Sequence, residues 1–391
     1  MSNSSFPVSS IDLFADEVLD TPYAQYTELR AAGAAVWMER FKMWALPRYA
    51  EVRSALMDWK TFSSKDAVCV GEEHNALYVG TVLASDPPLH DQLRAVLAPS
   101  LAPRALADMK SDLERRASDL VTGLVQRGEF DAVGDLAAQF PVSVVADLVG
   151  LPEEGRDRLL ARADASFNTF GPVNDRSRES MWTFPESFAY IQSEAARAKL
   201  RPGSMGAAVY EAADRGEISP EQCLPLMLAY LFAGMDTTVN SIGSAVWLFA
   251  THPEQWRMLR KDPSLIPAAF EEVLRFESPV QAFARRLVRP YVADGITLNE
   301  GDRAIILYGS ANRDERKFEN PEAFNIRRGS SPHVAFGMGL HLCAGQGLAR
   351  LEGQAVLAAL ARTVERFELV EVHRHLNNAV RGLGKLRVKV H

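Results

Sequence analysis

The sequence predicts a mainly α-helical chain with small β-sheets. Three observations carry this prediction: long stretches with helical spacing of apolar residues, few strand signals, and no GxGxxG loop after a strand. The missing loop argues against a doubly wound dinucleotide-binding fold. Helical spacing is clearest between Pro103 and Gly128, and it recurs over residues 136–149 and 244–260. In the first stretch the apolar positions are Leu106, Met109, Leu113, Ala117, Leu120 and Leu124.

The strand signals are short and scattered. Residues 36–38 and 43–46 flank a polar turn, and the Asp294-Gly295 pair predicts a hairpin. An apolar run covers residues 304–308, and residues 386–390 alternate between apolar and polar side chains. We therefore expect several small sheets beside long helices.

The composition is that of an ordinary globular protein. Apolar residues make up 47% of the 391 residues and charged residues 24%. No repeat, low-complexity tract or linker-like run divides the sequence, so we expect residues 1–391 to form a single domain. The net charge of -7 argues against nucleic acid as a partner.

The cysteines and the N-terminal residues indicate the cellular compartment of the protein. Three cysteines lie far apart in the sequence, which fits a reducing cytoplasm. Residues 1–7 form neither a basic nor an apolar segment, so we expect no signal peptide and no membrane anchor. The prediction is a cytoplasmic protein without a membrane partner.

Residues 336–345 read FGMGLHLCAG and place the thiol of Cys343 in a glycine-rich turn. Helical spacing of apolar residues follows, so we expect Cys343 just before a helix N-terminus and in the thiolate state. One alternative is a buried structural cysteine. Another is zinc, but His341 and Cys343 supply only two ligands, and Cys69 and Cys223 are isolated. Glycines on both sides of one cysteine suit a single thiolate ligand approached by a planar group, as in haem iron chemistry.

Between Cys223 and Thr251 the only charged residue is Asp236. The span is long enough to cross a membrane, but its central carboxylate argues for a helix buried inside a soluble domain. Burying a carboxylate costs several kcal/mol unless it is paired or neutral. The small Ala233 and Gly234 leave room beside the helix, and Thr237 adds a hydroxyl. The alternative is a buried aspartate that neighbouring side chains satisfy.

Two further pairs have helical spacing. Glu272 and Arg275 are three residues apart, as in an ordinary i, i+3 ion pair. His90 and Arg94 are four apart and share one helix face. Arg285 follows a Ser278-Pro279 helix stop, beside Arg286, and the choice between these two arginines stays open. Each of these groups alone is typical of a solvated surface.

Taken together, these motifs resemble the cytochrome P450 family. Residues 336–345 match the FGxGxHxCxG cysteine-ligand loop at every fixed position, and Leu348-Ala349-Arg350 continue the match. One departure is Gln346-Gly347, where bacterial members often carry Ala-Pro. Residues 233–237 resemble the A/G-G-x-D/E-T pattern of the family's oxygen-binding groove, and Glu272 with Arg275 matches its ExxR.

The resemblance implies the cytochrome P450 fold, haem b (iron protoporphyrin IX) as cofactor and Cys343 as the iron ligand. Asp236 and Thr237 match the catalytic pair, in which the alcohol hydrogen-bonds dioxygen and the acid relays protons. Glu272, Arg275 and the region around Arg327 correspond to a structural ion network behind the haem. The implied cofactor contacts are His90, Arg94, Ala233, Arg285, Phe336, Gly337, His341 and Gly345.

The implied activity is a haem-thiolate monooxygenase that inserts one oxygen atom of O2 into a small, aromatic substrate. No flavin, nicotinamide or iron–sulfur module is recognisable, so electrons would come from a separate ferredoxin and its NAD(P)H-dependent reductase. A basic face with Arg104, Lys110, Arg115, Arg116 and Arg350 is the expected docking surface. The alternatives are a peroxide-dependent haem enzyme and a non-catalytic haem-binding protein.

Residues 167–172, 236–240 and 275–281 resemble a bacterial subgroup that oxidises para-substituted benzoates, including O-demethylation. Segment 66–85 contains no Arg or Lys, and Leu77, Gly80 and Ala229 stand where polar anchors for a carboxylate would be expected. A neutral aromatic is therefore as compatible with the sequence as an acid. The predicted pocket residues are Leu77, Tyr78, Phe167, Phe170, Ala229, Phe232, Val280 and Phe283.

Overall fold

Helices make up most of the described chain. The computed structural model describes residues 6–329 and 332–391, with residues 187, 191 and 194 described through their backbone alone. These ranges contain fourteen α-helices. Their bounds are α1 Asp16–Asp20, α2 Tyr23–Ala32, α3 Tyr49–Met57, α4 Leu89–Leu97, α5 Pro103–Arg127, α6 Gln139–Val149, α7 Leu159–Asn168, α8 Asp175–Glu194, α9 Met205–Asp214, α10 Pro220–Thr251, α11 Pro253–Lys261, α12 Ile266–Glu277, α13 Tyr308–Ala311 and α14 Gln346–Thr363.

Eleven short strands in the described chain form three sheets. The largest has the order β1-β2-β3-β9-β6-β4, a second has the order β10-β11-β5, and β7 pairs with β8 as a hairpin. The strands are β1 Val8–Ser9, β2 Val36–Met38, β3 Met43–Leu46, β4 Phe62–Ser63, β5 Glu129–Asp131, β6 Ala282–Leu287, β7 Tyr291–Ala293, β8 Ile296–Leu298, β9 Arg303–Leu307, β10 Phe367–Leu376 and β11 Arg381–Val390. The predicted mainly α fold with small sheets is confirmed.

Most predicted elements are present, and their ends have local causes. Helix α5 stops at Gly128, whose φ of 74° lies in the left-handed region that glycine favours. The predicted helix over 244–260 is two helices, α10 and α11, because Pro253 at the start of α11 lacks the N–H that would continue α10. Strand β11 is longer than the predicted 386–390 and pairs antiparallel with β10 and β5.

Helix α10 runs through the middle of the fold. Its start carries a capping box, in which Ser219 and Gln222 satisfy backbone N–H groups reciprocally. Most of its side chains between Met235 and Phe249 are buried, as the sequence predicts for a core helix. Within the described residues one segment, Ala132–Val149, is long and apolar enough to span a membrane, and half of it is buried inside the protein.

The predicted ion pair of α12 is buried. Arg275 Nε donates to Glu272 Oε2 at 2.7 Å and Arg275 Nη2 to Glu272 Oε1 at 2.9 Å, and the side chains are only 1% and 3% exposed. Arg275 also donates to the Asn312 carbonyl at 2.9 Å. The third member is Arg328, whose Nε lies 3.1 Å from both Glu272 oxygens. The sequence predicted the region around Arg327, but the Arg327 side chain contacts Met258 instead of Glu272.

A second buried network surrounds Glu277, and the sequence analysis missed it. Glu277 Oε2 accepts from Arg374 at 2.9 Å and from Arg381 at 3.1 Å. Tyr23 donates to its other oxygen at 2.8 Å. Burial raises the pKa of the Glu277 carboxyl, but the surrounding arginines outweigh burial and hold that pKa below its usual value. The network ties α12 to β10, β11 and α2.

Candidate functional site

The Cys343 loop is held by its own backbone. Cys343 N–H donates to the Phe336 carbonyl at 2.9 Å, and Gly337 N–H donates to the Val334 carbonyl at 2.8 Å. Gly339 has a φ of 69°, and a Cβ on it would lie 2.5 Å from the Leu56 carbonyl oxygen of α3. A side chain at position 339 would therefore strain the turn and collide with α3.

The same loop leads directly into α14, which begins at Gln346. A Cβ on Gly347 would lie 2.4 Å from Leu106 Cδ1, so the first turn of α14 packs closely against α5 at the position where the sequence departs from the family pattern. Phe336 lies under the guanidinium of Arg350 at 4.5 Å. Two hydrogen bonds to Glu271, at 2.7 and 3.0 Å, hold that arginine in place. Phe336 is thereby fixed beside the cysteine turn.

The protonation state of Cys343 depends on whether a metal is bound. Burial raises the pKa of the Cys343 thiol, while the N–H groups of Gly345 and Gln346 and the cations Arg94 and Arg350 act in the opposite direction. Burial outweighs them, so the sulfur is a thiol when no metal is bound. A coordinating thiol loses its proton to the metal's charge, and the N–H groups then stabilise the resulting anion.

Four nitrogen-bearing side chains of the predicted cofactor contacts lie together on one side of the loop. The His90 and His341 rings meet edge to face with centroids 4.7 Å apart. Arg94 donates to the Leu342 carbonyl at 2.8 Å, and the buried Arg285 donates to the Ala284 carbonyl at 2.7 Å. All four line the cavity that contains Cys343. Arg286 instead reaches Glu72 at 2.8 Å, so Arg285 is the arginine on the cavity wall.

This cluster fits a group that carries negative charge. The Nε2 atoms of His90 and His341 are buried and find no hydrogen-bond partner within the described chain. Burial lowers the pKa of His341 to about 2, and nearby cations act in the same direction. A buried polar atom without a partner calls for an unseen ligand or water. The two propionates of haem have the charge and acceptor oxygens that such donors require.

On α10 the predicted acid and alcohol face different surroundings. Ala233 and Thr237 line the cavity, and the Thr237 hydroxyl donates to the Ala233 carbonyl at 2.9 Å within an unbroken helix. Asp236 is buried and lies outside the cavity lining. Its Oδ1 accepts from Asn240 at 3.0 Å, and its Oδ2 has no hydrogen-bond partner among the described residues.

Asp236 has an unusual proton affinity. Burial, followed by the charge of Asp164 in α7, raises the pKa of Asp236 to about 7. His375 in β10 and the hydrogen bond from Asn240 act in the opposite direction. His375 is paired with Asp164 at 2.6 Å, and both side chains are partly exposed to solvent. The acid therefore exchanges protons near neutral pH.

One cavity of about 350 Å³ joins the Cys343 loop, α10 and the aromatic residues of the predicted pocket. Tyr78 stacks on Phe170 with centroids 4.4 Å apart, and Phe170 meets Phe283 edge to face at 5.1 Å. The Tyr78 hydroxyl lies 2.7 Å from Thr169 Oγ1, which fixes its ring. All predicted pocket residues line this cavity, namely Leu77, Tyr78, Phe167, Phe170, Ala229, Phe232, Val280 and Phe283.

The cavity also has two ionisable residues that the sequence analysis missed. Glu352 in α14 is fully buried, neither of its carboxylate oxygens has a described partner, and burial raises its pKa well above the usual value. Arg162 in α7 supplies a cation to the wall, although segment 66–85 contains none. The available signal in the sequence was a charged residue one turn before Ser166 and the predicted pocket residue Phe167.

The basic face expected to dock a ferredoxin is partly neutralised. Four of its five cations have a carboxylate partner. Arg115 contacts Asp112 and Asp119, and Arg350 is paired with Glu271. The net positive charge of this face is therefore lower than the sequence suggests.

Comparisons with known proteins agree with this geometry. The sequence profile of the cytochrome P450 family matches residues 165–382. The chain is 40% identical to cytochrome P450 CYP199A2 of Rhodopseudomonas palustris, over 98% of this chain and 94% of that protein. It is 32% identical to the vitamin D(3) 25-hydroxylase of Pseudonocardia autotrophica, over 96% of each.

Solved structures have the same fold. The cytochrome P450 CREJ, in complex with (4-ethylphenyl) dihydrogen phosphate, superposes with a TM-score of 0.87 at 27% identity, over 99% of this chain and 100% of that one. Proteins of this family bind haem b through a cysteine thiolate. The chain therefore belongs to the cytochrome P450 family of monooxygenases.

Proposed function

We propose that this protein inserts one atom of O2 into a small aromatic substrate, by hydroxylation or O-demethylation, in the cytoplasm. Electrons come from a separate ferredoxin and its NAD(P)H-dependent reductase, and residues 1–391 act as one catalytic domain. The observation that carries the proposal is a single cavity lined by Cys343, Thr237 and the stacked aromatic residues. Such a cavity puts an apolar substrate beside the residues that handle oxygen.

The haem and the residues of the chain have separate roles in the proposed reaction. Bound haem supplies the iron that activates O2, and its cysteine ligand favours O–O cleavage. Cys343 would hold the iron, and His90, Arg94, Arg285 and His341, which line the same cavity, would hold the propionates. Phe336, Gly337, Gly345 and Ala233 would pack against the ring. The apolar wall excludes water and so limits side reactions.

Proton supply falls to α10. Burial raises the pKa of Asp236 to about 7, so a fraction of this carboxyl is protonated near neutral pH. Thr237 Oγ1 presents a hydroxyl to the cavity from the next residue. The Asp164–His375 pair is partly exposed and acts electrostatically on Asp236, so we infer that protons reach Asp236 from this side. Protons then reach the cavity one at a time through Asp236 and Thr237, and not from bulk water.

Replacing Thr237 with Ala should uncouple electron use from product formation. We expect severalfold less product per NAD(P)H and a matching rise in hydrogen peroxide, because the cavity loses the hydroxyl that directs protons. Thr237→Ser should restore much of the coupling. Thr251→Ala is the matched control. Thr251 also lies in α10, and its hydroxyl likewise donates to the backbone carbonyl four residues earlier, that of Trp247, at 2.8 Å. Unchanged coupling in Thr237→Ala would contradict this role.

The aromatic assignment has three supports. Stacked Tyr78, Phe170 and Phe283 form walls suited to a flat ring. The related CREJ protein was solved with a para-substituted aromatic compound. The sequence also resembles the subgroup that oxidises para-substituted benzoates.

Turnover with isotopically labelled O2 tests the proposal. With a ferredoxin, its reductase and NADH, we expect a hydroxylated aromatic product to carry one labelled oxygen atom. Labelling from water instead would contradict a monooxygenase reaction. Turnover with hydrogen peroxide alone, and none with the redox partners, would favour the peroxide-dependent alternative. Haem binding without turnover under either condition would favour a non-catalytic haem protein.

A further inference from the structure

Arg162 is a buried cation on the cavity wall that the reaction above does not use. It lies in α7, and its side chain is only 7% exposed. Ser166, one turn further along the helix, lines the same cavity. The ring of Tyr190 in α8 covers the guanidinium, 4.1 Å from the ring centroid. The side chain is therefore held against the cavity by packing, with little access to bulk water.

Among the described side chains, no close carboxylate matches the charge of Arg162. Glu186 is the acidic partner, but its Oε1 lies 2.6 Å from Arg158 and 3.6 Å from Arg162. Glu186 is also 63% exposed, so solvent screens the longer contact. In the part of the chain that the structure describes, Arg158 and Arg162 share the single carboxylate of Glu186, so one of the two positive charges is not neutralised.

The hydrogen-bonding capacity of Arg162 is unused as well. Its Nη1 is buried and has no hydrogen-bond partner among the described residues. A buried guanidinium donor without an acceptor is costly, and native proteins normally satisfy such groups. A planar guanidinium best fits the paired oxygens of a carboxylate or phosphate. The unused donor on the cavity wall thus has the chemistry of an anion-binding site.

We propose that Arg162 binds the anionic group, a carboxylate or a phosphate, of an amphipathic substrate whose apolar part fills the cavity. This deepens the proposed monooxygenase function and rests on it. Arg162 and Phe167 both lie in α7 and both line the cavity, so one substrate can present its anionic group to Arg162 and its apolar part to the aromatic residues. Arg162 supplies the anchor for an anionic group that the sequence analysis did not find at Leu77, Gly80 or Ala229.

Binding of matched acids and amides to the haem-loaded protein tests this proposal without turnover. The probes are para-ethylbenzoate with para-ethylbenzamide, decanoate with decanamide, and para-ethylphenyl phosphate. Affinities are measured by calorimetry and by the Soret shift. We expect Arg162→Gln to weaken at least one anion by about tenfold to a hundredfold and to leave its amide unchanged. Arg162→Lys keeps the charge but loses the planar pair of donors, so its effect should be smaller.

Arg178→Gln is the control, because Arg178 in α8 is 61% exposed, pairs with Asp175 instead of Glu186 and lies outside the cavity lining. It should bind every probe as the unmodified protein does. The carboxylate and phosphate arms distinguish the two sources of negative charge. Equal losses for acid and amide in Arg162→Gln, or no anion bound better than its neutral match by the unmodified protein, would overturn the proposal. Failure of labelled-oxygen insertion would count against the reaction alone, because the binding measurements do not require it.

Discussion

Replacing Asp236 with Asn is expected to lower the rate of product formation by about 10²–10⁴-fold, the usual contribution of a positioned proton donor. The amide keeps the size of the side chain and can still contact Asn240, but it cannot deliver a proton from Oδ2. The fold and the haem environment should be unchanged, because Asp236 lies outside the cavity lining. Rates with a ferredoxin and its reductase, together with the Soret spectrum, measure both effects.

The pH dependence of product formation provides a second test of the role of Asp236. Burial raises the pKa of Asp236 to about 7, so its protonated fraction falls as pH rises through that value. Product formation limited by this acid should fall over the same range in the unmodified protein, and Asp236→Asn should lack that step. Asp119→Asn, an exposed carboxylate of α5, is the control. Equal rates and equal pH profiles for Asp236→Asn and the unmodified protein would rule out the proton-relay role.

The second large effect concerns stability. Arg275→Gln is expected to destabilise the protein by about 3–5 kcal/mol, because it leaves Glu272 buried with part of its charge unpaired. The lost hydrogen bonds to the Asn312 and Pro321 carbonyls also release the chain segment that leads to the cysteine loop. Urea unfolding followed by circular dichroism measures the change. Haem loss should accompany unfolding at a lower urea concentration.

Arg115→Gln provides the comparison. Arg115 makes the same i, i+3 contact, with Asp112, on the exposed surface of α5. Its removal should leave the unfolding midpoint close to that of the unmodified protein, since solvent screens exposed pairs. If Arg275→Gln unfolds at the same urea concentration as Arg115→Gln, the buried network does not support the fold as argued.

Local spacing explains why part of the site was predictable. The Cys343 loop, the Asp236-Thr237 pair and the Glu272-Arg275 pair are short motifs whose geometry is fixed within one turn or one helix. The aromatic pocket residues were also placed on the cavity. These features depend on residues close together in sequence or on a recognisable family order.

Features set by distant neighbours were not predictable. Arg162 becomes an unmatched cation only because Glu186 lies closer to Arg158 and Tyr190 covers its guanidinium. The raised pKa of the metal-free Cys343 thiol depends on how deeply the folded chain buries the sulfur. In the ion network, Arg328 and not Arg327 reaches Glu272, because adjacent side chains point in different directions.

Thiolate ligation of haem iron by Cys343 is the central claim, and a carbon monoxide difference spectrum of the reduced protein tests it most directly. We expect the absorption band at about 450 nm for which the family is named. Cys69→Ala should keep the band, because Cys69 is a buried cysteine outside the cavity lining, whereas Cys343→Ser should lose it. A band at the shorter wavelength of histidine-ligated haem in the unmodified protein, or an unchanged band in Cys343→Ser, would contradict the account.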